Sequence, residues 1–159
     1  MKKRKTTTMN EQDKHFYNLD VLARTIYGEA RGEFSQPEGG LSALVAIANV
    51  VMNRTRAPQR FGKTLSEVCL KPYQFSCWNM KDPNYQIISS VQSGDNPVFD
   101  LCWHVAENVY QKKWPDLTQG SDHYYASWLF YPPAWAKGIK PNARIGQHLF
   151  FKLYPEERG

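Results

Sequence analysis

The chain has 159 residues, of which 42% are hydrophobic and 14% aromatic, and its formal net charge is +5. This length and composition predict one folded domain with a substantial hydrophobic core and exclude a disordered or fibrous protein. No long apolar run follows the charged start, so we expect neither a secretory signal nor a transmembrane span.

Part of the positive charge is local, because four basic residues stand at positions 2–5. We expect residues 1–17 to be a basic, disordered tail and residues 18–155 to be a single domain. Without the tail the chain is only faintly basic, so its charge is weak evidence for binding nucleic acid. The cysteines (Cys69, Cys77 and Cys102) are odd in number and lack metal-type spacing. We interpret them as reduced thiols, with a Cys69–Cys77 bridge left open.

In chain order, apolar spacing predicts a first helix over residues 19–30, capped by Asn18 or Asp20. Turn residues follow at 34–40, and a strongly apolar pattern predicts a helix over 41–56. Residues 57–62 are expected to be a loop. Thr64 and Glu67 form a capping-box pattern, which predicts a short helix through residue 70.

Two Asx-Pro pairs at 82–83 and 96–97 predict further helices over residues 83–92 and 97–113. Alternation of apolar residues over 145–152 indicates a strand or hairpin that finishes the domain. The expected class is therefore α+β and mostly helical, with a small β element.

The stretch Tyr27-Gly-Glu-Ala-Arg-Gly-Glu33 places a carboxylate between two glycines at the end of the first helix. Either the helix ends there with glycine caps, or another segment approaches the backbone closely beside Glu29. Glu33 would share a face with Glu29 only if the helix is unbroken. An ordinary helix end with a solvated Glu29 is the alternative interpretation.

The sequence has no phosphate-binding glycine loop, no cysteine pair at zinc spacing and no Gly-x-Ser-x-Gly pattern. His123 and His148 lack the helical spacing of a zinc site, so the metal hypothesis is weak. A carboxylic acid beside aromatic residues instead suits the cleavage of a glycosidic bond, because the leaving oxygen must be protonated. Most glycosidases pair two carboxylates, but one would suffice if the sugar supplied its own nucleophile.

Several motifs occur together over residues 19–152. They are Tyr27–Glu33, Ala46–Arg54, Gln74–Trp78, His123–Tyr125, Pro133–Trp135 and Ile145–Phe150. In this order they resemble the cell-wall hydrolase family that includes the spore cortex-lytic enzymes. The resemblance implies a lysozyme-like or lytic-transglycosylase-like catalytic domain over residues 18–155, with the β element beside the cleft. It also implies cleavage between N-acetylmuramic acid and N-acetylglucosamine in peptidoglycan.

By position, Glu29 matches the catalytic glutamate of that family. As a lytic transglycosylase it would protonate the leaving oxygen and then act as base while a 1,6-anhydro ring closes; in a muramidase, water would replace the sugar hydroxyl. We favour the transglycosylase, because only one glutamate is clearly placed. The residues expected to bind substrate are Tyr27, Asn53, Gln74, Phe75, Ser76, His123, Tyr124 and Trp135.

His148 is expected to be either functional or a structural hydrogen-bonding residue. The sequence differs from the family pattern at Ser121-Asp122 and at Ala126-Ser127, which bears on the glycan contacts of that segment. No metal or cofactor is expected. The expected partner is the glycan strand of peptidoglycan, and the protein is expected to be a monomer without a specific nucleic-acid partner.

The format resembles a small phage endolysin, made in the bacterial cytoplasm and released to the wall through a holin-type lesion. A non-catalytic module that binds glycans or nucleic acid is one rival hypothesis, because loop aromatics can stack on sugars or bases. A peptidase or amidase acting on the peptide stems is another, and loss of activity on chelation would favour a zinc form of it.

Overall fold

The computed structural model describes residues 8–157, which form six α-helices and three β-strands. The helices are α1 (Glu11–Phe34), α2 (Gly40–Arg54), α3 (Pro58–Phe61), α4 (Leu65–Leu70), α5 (Pro83–Ser90) and α6 (Pro97–Tyr110). The strands are β1 (His123–Ala126), β2 (Ala143–Ile145) and β3 (His148–Phe151). Single 3₁₀ turns lie at Ser76–Trp78 and Ala134–Ala136. The α+β, mostly helical class predicted from the sequence is confirmed.

Helix α1 is the central element, because it packs against α2, α4, α5 and α6. It is longer than predicted at both ends, since it begins at Glu11 under an Asn10 cap and continues to Phe34. Residues 11–17 are therefore helical, and the expectation of a disordered tail is wrong for them. Residues 1–7 of that tail lie outside the described residues. The apolar spacing did not reveal the first two turns of α1, because residues 11–17 are exposed.

The predicted starts of α4, α5 and α6 are confirmed by their caps, whereas the predicted cap of the first helix at Asn18 or Asp20 is wrong, because Asn10 caps α1. Thr64 accepts a hydrogen bond from the Glu67 N–H at 3.1 Å, and the Asp82 and Asn96 side chains accept from the first N–H groups of α5 and α6. Helix α6 ends at Tyr110 instead of 113, because Lys112 takes a left-handed conformation with φ 57°. The predicted loop at 57–62 instead contains the one-turn helix α3, which Pro58 starts and Gly62 (φ 122°) ends.

The strands form one antiparallel sheet in the order β1-β3-β2. Alternate residues point to opposite faces of a strand. The inner face carries Tyr124 and Phe150, which lie with Ala143 and Ile145 against Ala46 and Val50 of α2. The outer face carries His123, Tyr125, Leu149 and Phe151. The predicted terminal hairpin is confirmed as β2–β3, with its turn at residues 146–147.

No helix among the described residues is both long and apolar enough to cross a membrane. Cys69, Cys77 and Cys102 are free and buried. Burial raises the pKa of the Cys69 and Cys102 thiols to about 12 and that of Cys77 further. These thiols are therefore protonated near neutral pH.

The two glycines that flank Glu29 differ in their surroundings, which makes them a matched pair. A Cβ at Gly28 would lie 2.8 Å from Cys77 Cβ and 2.9 Å from its Sγ, whereas a Cβ at Gly32 would meet nothing within 4 Å. We expect Gly32→Ala to raise the free energy of unfolding by roughly 0.5–1 kcal/mol, through helix propensity. Gly28→Ala should lower it by about 1–3 kcal/mol through overpacking. Urea unfolding measures both, and equal effects of the two substitutions would contradict this assignment.

Candidate functional site

Glu29 lies where α1, the 3₁₀ turn at Ser76–Trp78 and the inner face of the sheet meet. Its side chain is half-buried. Burial raises the pKa of the Glu29 carboxyl, and the charge of Asp82 adds to this increase. Hydrogen bonding by Cys77 and the Tyr124 hydroxyl lowers the pKa and so acts in the opposite direction. The net result is a carboxylic acid that keeps its proton to higher pH than an exposed glutamate does.

The close approach of Cys77 to α1 depends on Gly28, where any side chain would overlap the cysteine. Of the two interpretations left open by the sequence, close backbone approach therefore holds at Gly28. The helix does not end there, so the glycine-cap interpretation is wrong. Trp78, the next residue, fixes the turn to the same helix, since its indole N–H donates to Thr25 Oγ1 at 2.8 Å.

Tyr124 supplies the sheet side of the site. It lies on the inner face of β1 between the rings of His148 and Phe150, with centroid distances of 5.1 and 5.7 Å. Burial and the nearby charge of Glu29 raise the pKa of the Tyr124 hydroxyl well above its usual value. The hydroxyl therefore stays protonated and can donate a hydrogen bond to the Glu29 carboxylate.

Arg54, at the end of α2, is a buried cation that was not among the site residues predicted from the sequence. Its Nε donates to the Asp122 carbonyl at 2.9 Å, and its Nη1 donates to Gln74 Oε1 at 3.2 Å. The guanidinium also lies over the rings of Phe61 and Phe75, at 5.1 and 4.9 Å. Arg54 therefore connects the segment that carries Cys77 to the strand that carries Tyr124. A charged residue ending the most apolar helix is the sequence signal that could have identified it.

His123 is next to Tyr124 in sequence but points to the outer face of the sheet. Its Nδ1 lies 2.9 Å from Asp122 Oδ1, and its ring packs edge-on against Trp135 at 4.9 Å. Trp135 also covers Phe151 on the same face. His123 and Trp135 therefore lie on the sheet face opposite to Tyr124, because residues one apart on a strand face opposite ways. The structure does not bring them to Glu29, and their contact with substrate stays a prediction.

Three further predicted substrate contacts make contacts within the protein, and their role in substrate binding stays a prediction. Tyr27 is buried, and its hydroxyl accepts a hydrogen bond from Asn96 Nδ2 at 3.1 Å. Phe75 is buried under Arg54. The Asn53 amide donates to Asp116 Oδ2 at 2.8 Å and to the Ser121 carbonyl at 3.0 Å, so it holds the loop before β1. The sequence could not distinguish core positions from cleft positions, because the same aromatic and amide residue types occur in both.

Gln74 and Ser76 stay close to the site, since they belong to the segment that places Cys77. Gln74 is half-buried and is oriented by Arg54, whereas Ser76 is exposed at the start of the 3₁₀ turn. Together with Tyr124, they are the predicted substrate contacts that the structure leaves on the Glu29 side of the molecule.

Glu33 lies one helical turn after Glu29, and because α1 is unbroken the two share a face. Its Oε2 accepts a hydrogen bond from the Gln147 backbone N–H at 3.1 Å, which fixes the β2–β3 turn to α1. The absence of a side chain at Gly146 permits this approach. His148 lies beside Tyr124; burial lowers the pKa of its imidazole, and the charge of Glu33 opposes this change.

Within residues 8–157, no group of three or more His, Cys, Asp or Glu side chains is arranged to hold a metal ion. The chemistry that the site itself offers is proton transfer by a half-buried carboxyl group. The Tyr124 hydroxyl and Cys77 next to that group stabilise it once its proton has left.

A comparison with protein families matches residues 39–151 to a model described as Cell Wall Hydrolase. The matched part begins after Glu29 and includes Arg54, the 74–78 segment and the sheet. A search of curated proteins finds no match. Among solved structures, the crystal structure of the catalytic domain of the Bacillus cereus SleB protein is similar, with a TM-score of 0.61 and 22% identity. The similarity covers 95% of this chain and 98% of that one, and it shows a shared fold.

Asp122 provides a test of how the start of β1 is held. Its carboxylate accepts from His123 and from the N–H groups of Leu153 and Tyr154, at 2.9 and 3.0 Å. Burial alone would raise the pKa of Asp122, but these hydrogen bonds hold it below its usual value. A depressed pKa adds stability above the unfolded value of about 3.9, and this stability is lost as the pH falls through the folded value.

We therefore expect Asp122→Asn to lower the free energy of unfolding at neutral pH by about 1–3 kcal/mol. The free energy of unfolding of the wild type should fall between neutral and acidic pH, and this fall should be smaller in Asp122→Asn. Chemical unfolding at several pH values measures this, with the exposed Glu107→Gln as control. An acid-induced loss as large as that of the wild type would contradict the assignment.

Proposed function

The chain belongs to the cell wall hydrolase family, and from this premise we propose that it is a lytic transglycosylase with Glu29 as its general acid and base. The family supports a peptidoglycan-cleaving enzyme. The bond that we propose is cleaved joins N-acetylmuramic acid to N-acetylglucosamine.

The observation that carries the proposal is the environment of the Glu29 carboxyl. Burial raises its pKa, so it retains a proton that can be given to the glycosidic oxygen as the bond to the muramic acid C1 breaks. Hydrogen bonding by Tyr124 and Cys77 favours the carboxylate that remains. The opposing effects suit a group that must act first as an acid and then as a base.

In the second step, the 6-hydroxyl of the same muramic acid attacks C1 and closes a 1,6-anhydro ring. The Glu29 carboxylate takes the proton of that hydroxyl, which returns it to its starting state. The reaction consumes no water and needs no second catalytic carboxylate. Gln74, Ser76 and Tyr124 are proposed to contact the glycan around this centre.

Hydrolysis by a muramidase is the second candidate, and the position of Glu33 is the observation in its favour. Because α1 is unbroken, Glu33 is a second carboxylate on the same helix face. One of its oxygens already accepts the Gln147 N–H, which supports a structural role at the hairpin instead. The origin of the chain as a phage endolysin and its release to the wall stay predictions.

The proposal is tested by digesting purified peptidoglycan with the wild type, Glu29→Gln and the matched Glu33→Gln, and analysing the products by mass spectrometry. Gln keeps the shape of Glu29 but has no proton to give. We expect Glu29→Gln to lose about 10²–10⁴-fold in rate or more. Wild type and Glu33→Gln should both release anhydro-muropeptides.

Products with reducing ends, together with a comparable loss in Glu33→Gln, would instead establish the muramidase. Full activity of Glu29→Gln would overturn the assignment of the catalytic residue. Folding of both variants is checked by circular dichroism, so that loss of structure is distinguished from loss of chemistry.

Tyr124→Phe tests the electrostatic part of the proposal. Removing the hydroxyl removes a hydrogen bond that favours the carboxylate, so the pKa of Glu29 should rise. Because the first step needs the protonated acid, the decline of activity at high pH should shift to higher pH. The pH profile of kcat/KM on soluble glycan fragments measures this, with Tyr125→Phe on the outer face as control. A shift to lower pH, or equal profiles for both variants, would contradict the proposed contact.

A further inference from the structure

The segment that follows β1 exposes an unusual concentration of large apolar side chains. We name residues 127–142 the outer-face loop, because they run from the end of β1 across the outer face of the sheet to the start of β2. Trp128 is 70% exposed, Phe130 86% and Tyr131 82%. The loop also partly exposes Leu129 and Ile139.

The sheet does provide a site where an aromatic side chain of this loop can pack. Trp135, in the same loop, turns inward and packs against His123, Tyr125 and Phe151 at centroid distances of 4.9, 5.8 and 5.2 Å. The loop is thereby anchored to the sheet by one aromatic residue, while the aromatic residues before it face solvent. Clustered apolar exposure of this kind marks an interaction surface.

Along the sequence, the charged side chains of the loop and its flanking strands have one sign. Residues 123–155 contain no Asp or Glu but include Lys137, Lys140, Arg144 and Lys152. Lys137 and Lys140 are exposed in the loop, and Arg144 is exposed on β2, opposite Leu149 and hence on the outer face. In residues 8–122, by contrast, Asp and Glu outnumber Lys and Arg. Within the described residues, the excess of basic over acidic side chains therefore lies in the part of the chain that carries the exposed aromatic residues.

We propose that the outer-face loop docks onto an anionic lipid bilayer. Trp, Tyr and Phe side chains partition into the headgroup region, and each nearby Lys or Arg adds attraction to anionic lipids. Charge complementarity with phosphate headgroups and the apolar tips of the loop together define this partner. The proposal is independent of the chemistry at Glu29.

A glycan strand or an anionic wall polymer suits the loop less well. Sugars stack on flat, open rings, whereas Phe130 and Tyr131 meet edge to face at 4.8 Å with an interplanar angle of 83°. Leu129 and Ile139 have no ring to offer a sugar. A soluble polyanion would use the cations but gain nothing from the exposed apolar tips.

The test is sedimentation of the full chain with phosphatidylcholine vesicles that contain or lack phosphatidylglycerol. One variant removes the apolar tips (Trp128→Ser, Phe130→Ser, Tyr131→Ser), and another removes the charges (Lys137→Gln, Lys140→Gln, Arg144→Gln). Matched controls change residues exposed elsewhere: Tyr73→Ser for the aromatic residues, and Lys81→Gln, Lys112→Gln and Lys113→Gln for the charges. Trp128→Phe in vesicles with brominated acyl chains reports the depth of insertion.

We expect binding to the anionic vesicles only, a loss of roughly tenfold or more in partitioning for each loop variant, and no loss for the controls. Bromolipid quenching of tryptophan fluorescence should fall in Trp128→Phe. Absence of vesicle binding overturns the proposal. Binding that survives in both loop variants also overturns the proposal, because the binding would then be assigned to the basic residues 2–5. Dependence on the charges but not on the aromatic residues also overturns it and indicates a polyanion. Because vesicles contain no peptidoglycan, none of these outcomes depends on the proposed reaction.

Discussion

The close approach of the 76–78 turn to Gly28 is the constraint on which the site depends. It brings Cys77 against the central helix and covers the neighbouring Glu29 carboxyl, so that burial raises its pKa. The cost of a glycine inside a helix, roughly 1 kcal/mol relative to alanine, is offset at this position by the packing that it permits. A Cβ at Gly32 would meet open space, so this glycine permits no comparable packing. The structure gives no reason for a glycine at this position.

Two polar connections keep this arrangement in place. Arg54 joins the segment before the turn to the start of β1, through Gln74 and the Asp122 carbonyl. The Asp122 carboxylate in turn holds the chain after β3. The two elements that contact Glu29 are thus oriented by one network that begins at the end of α2. At the other end of the sheet, Glu33 fixes the β2–β3 turn to α1.

The class, the main helices and the hairpin could be predicted from the sequence, because caps and apolar periods are local signals. Glu29 could be proposed because of its glycine neighbours and the motifs around it. The placement of His123 and Tyr124 on opposite faces of the sheet could not be predicted, since it depends on the register of β1 against β3. The contacts of Tyr27, Phe75 and Asn53 within the protein could not be predicted either, because their partners are far away in sequence.

The most direct test of the central claim is the titration of the Glu29 carboxyl itself. Protein labelled with ¹³C at glutamate side-chain carboxyls is followed by NMR from acidic to neutral pH, and the Glu29 resonance is assigned by its absence from Glu29→Gln. The account predicts a carboxyl that titrates above the usual glutamate pKa of about 4.3. A resonance that titrates at or below that value would contradict the assignment of Glu29 as the general acid.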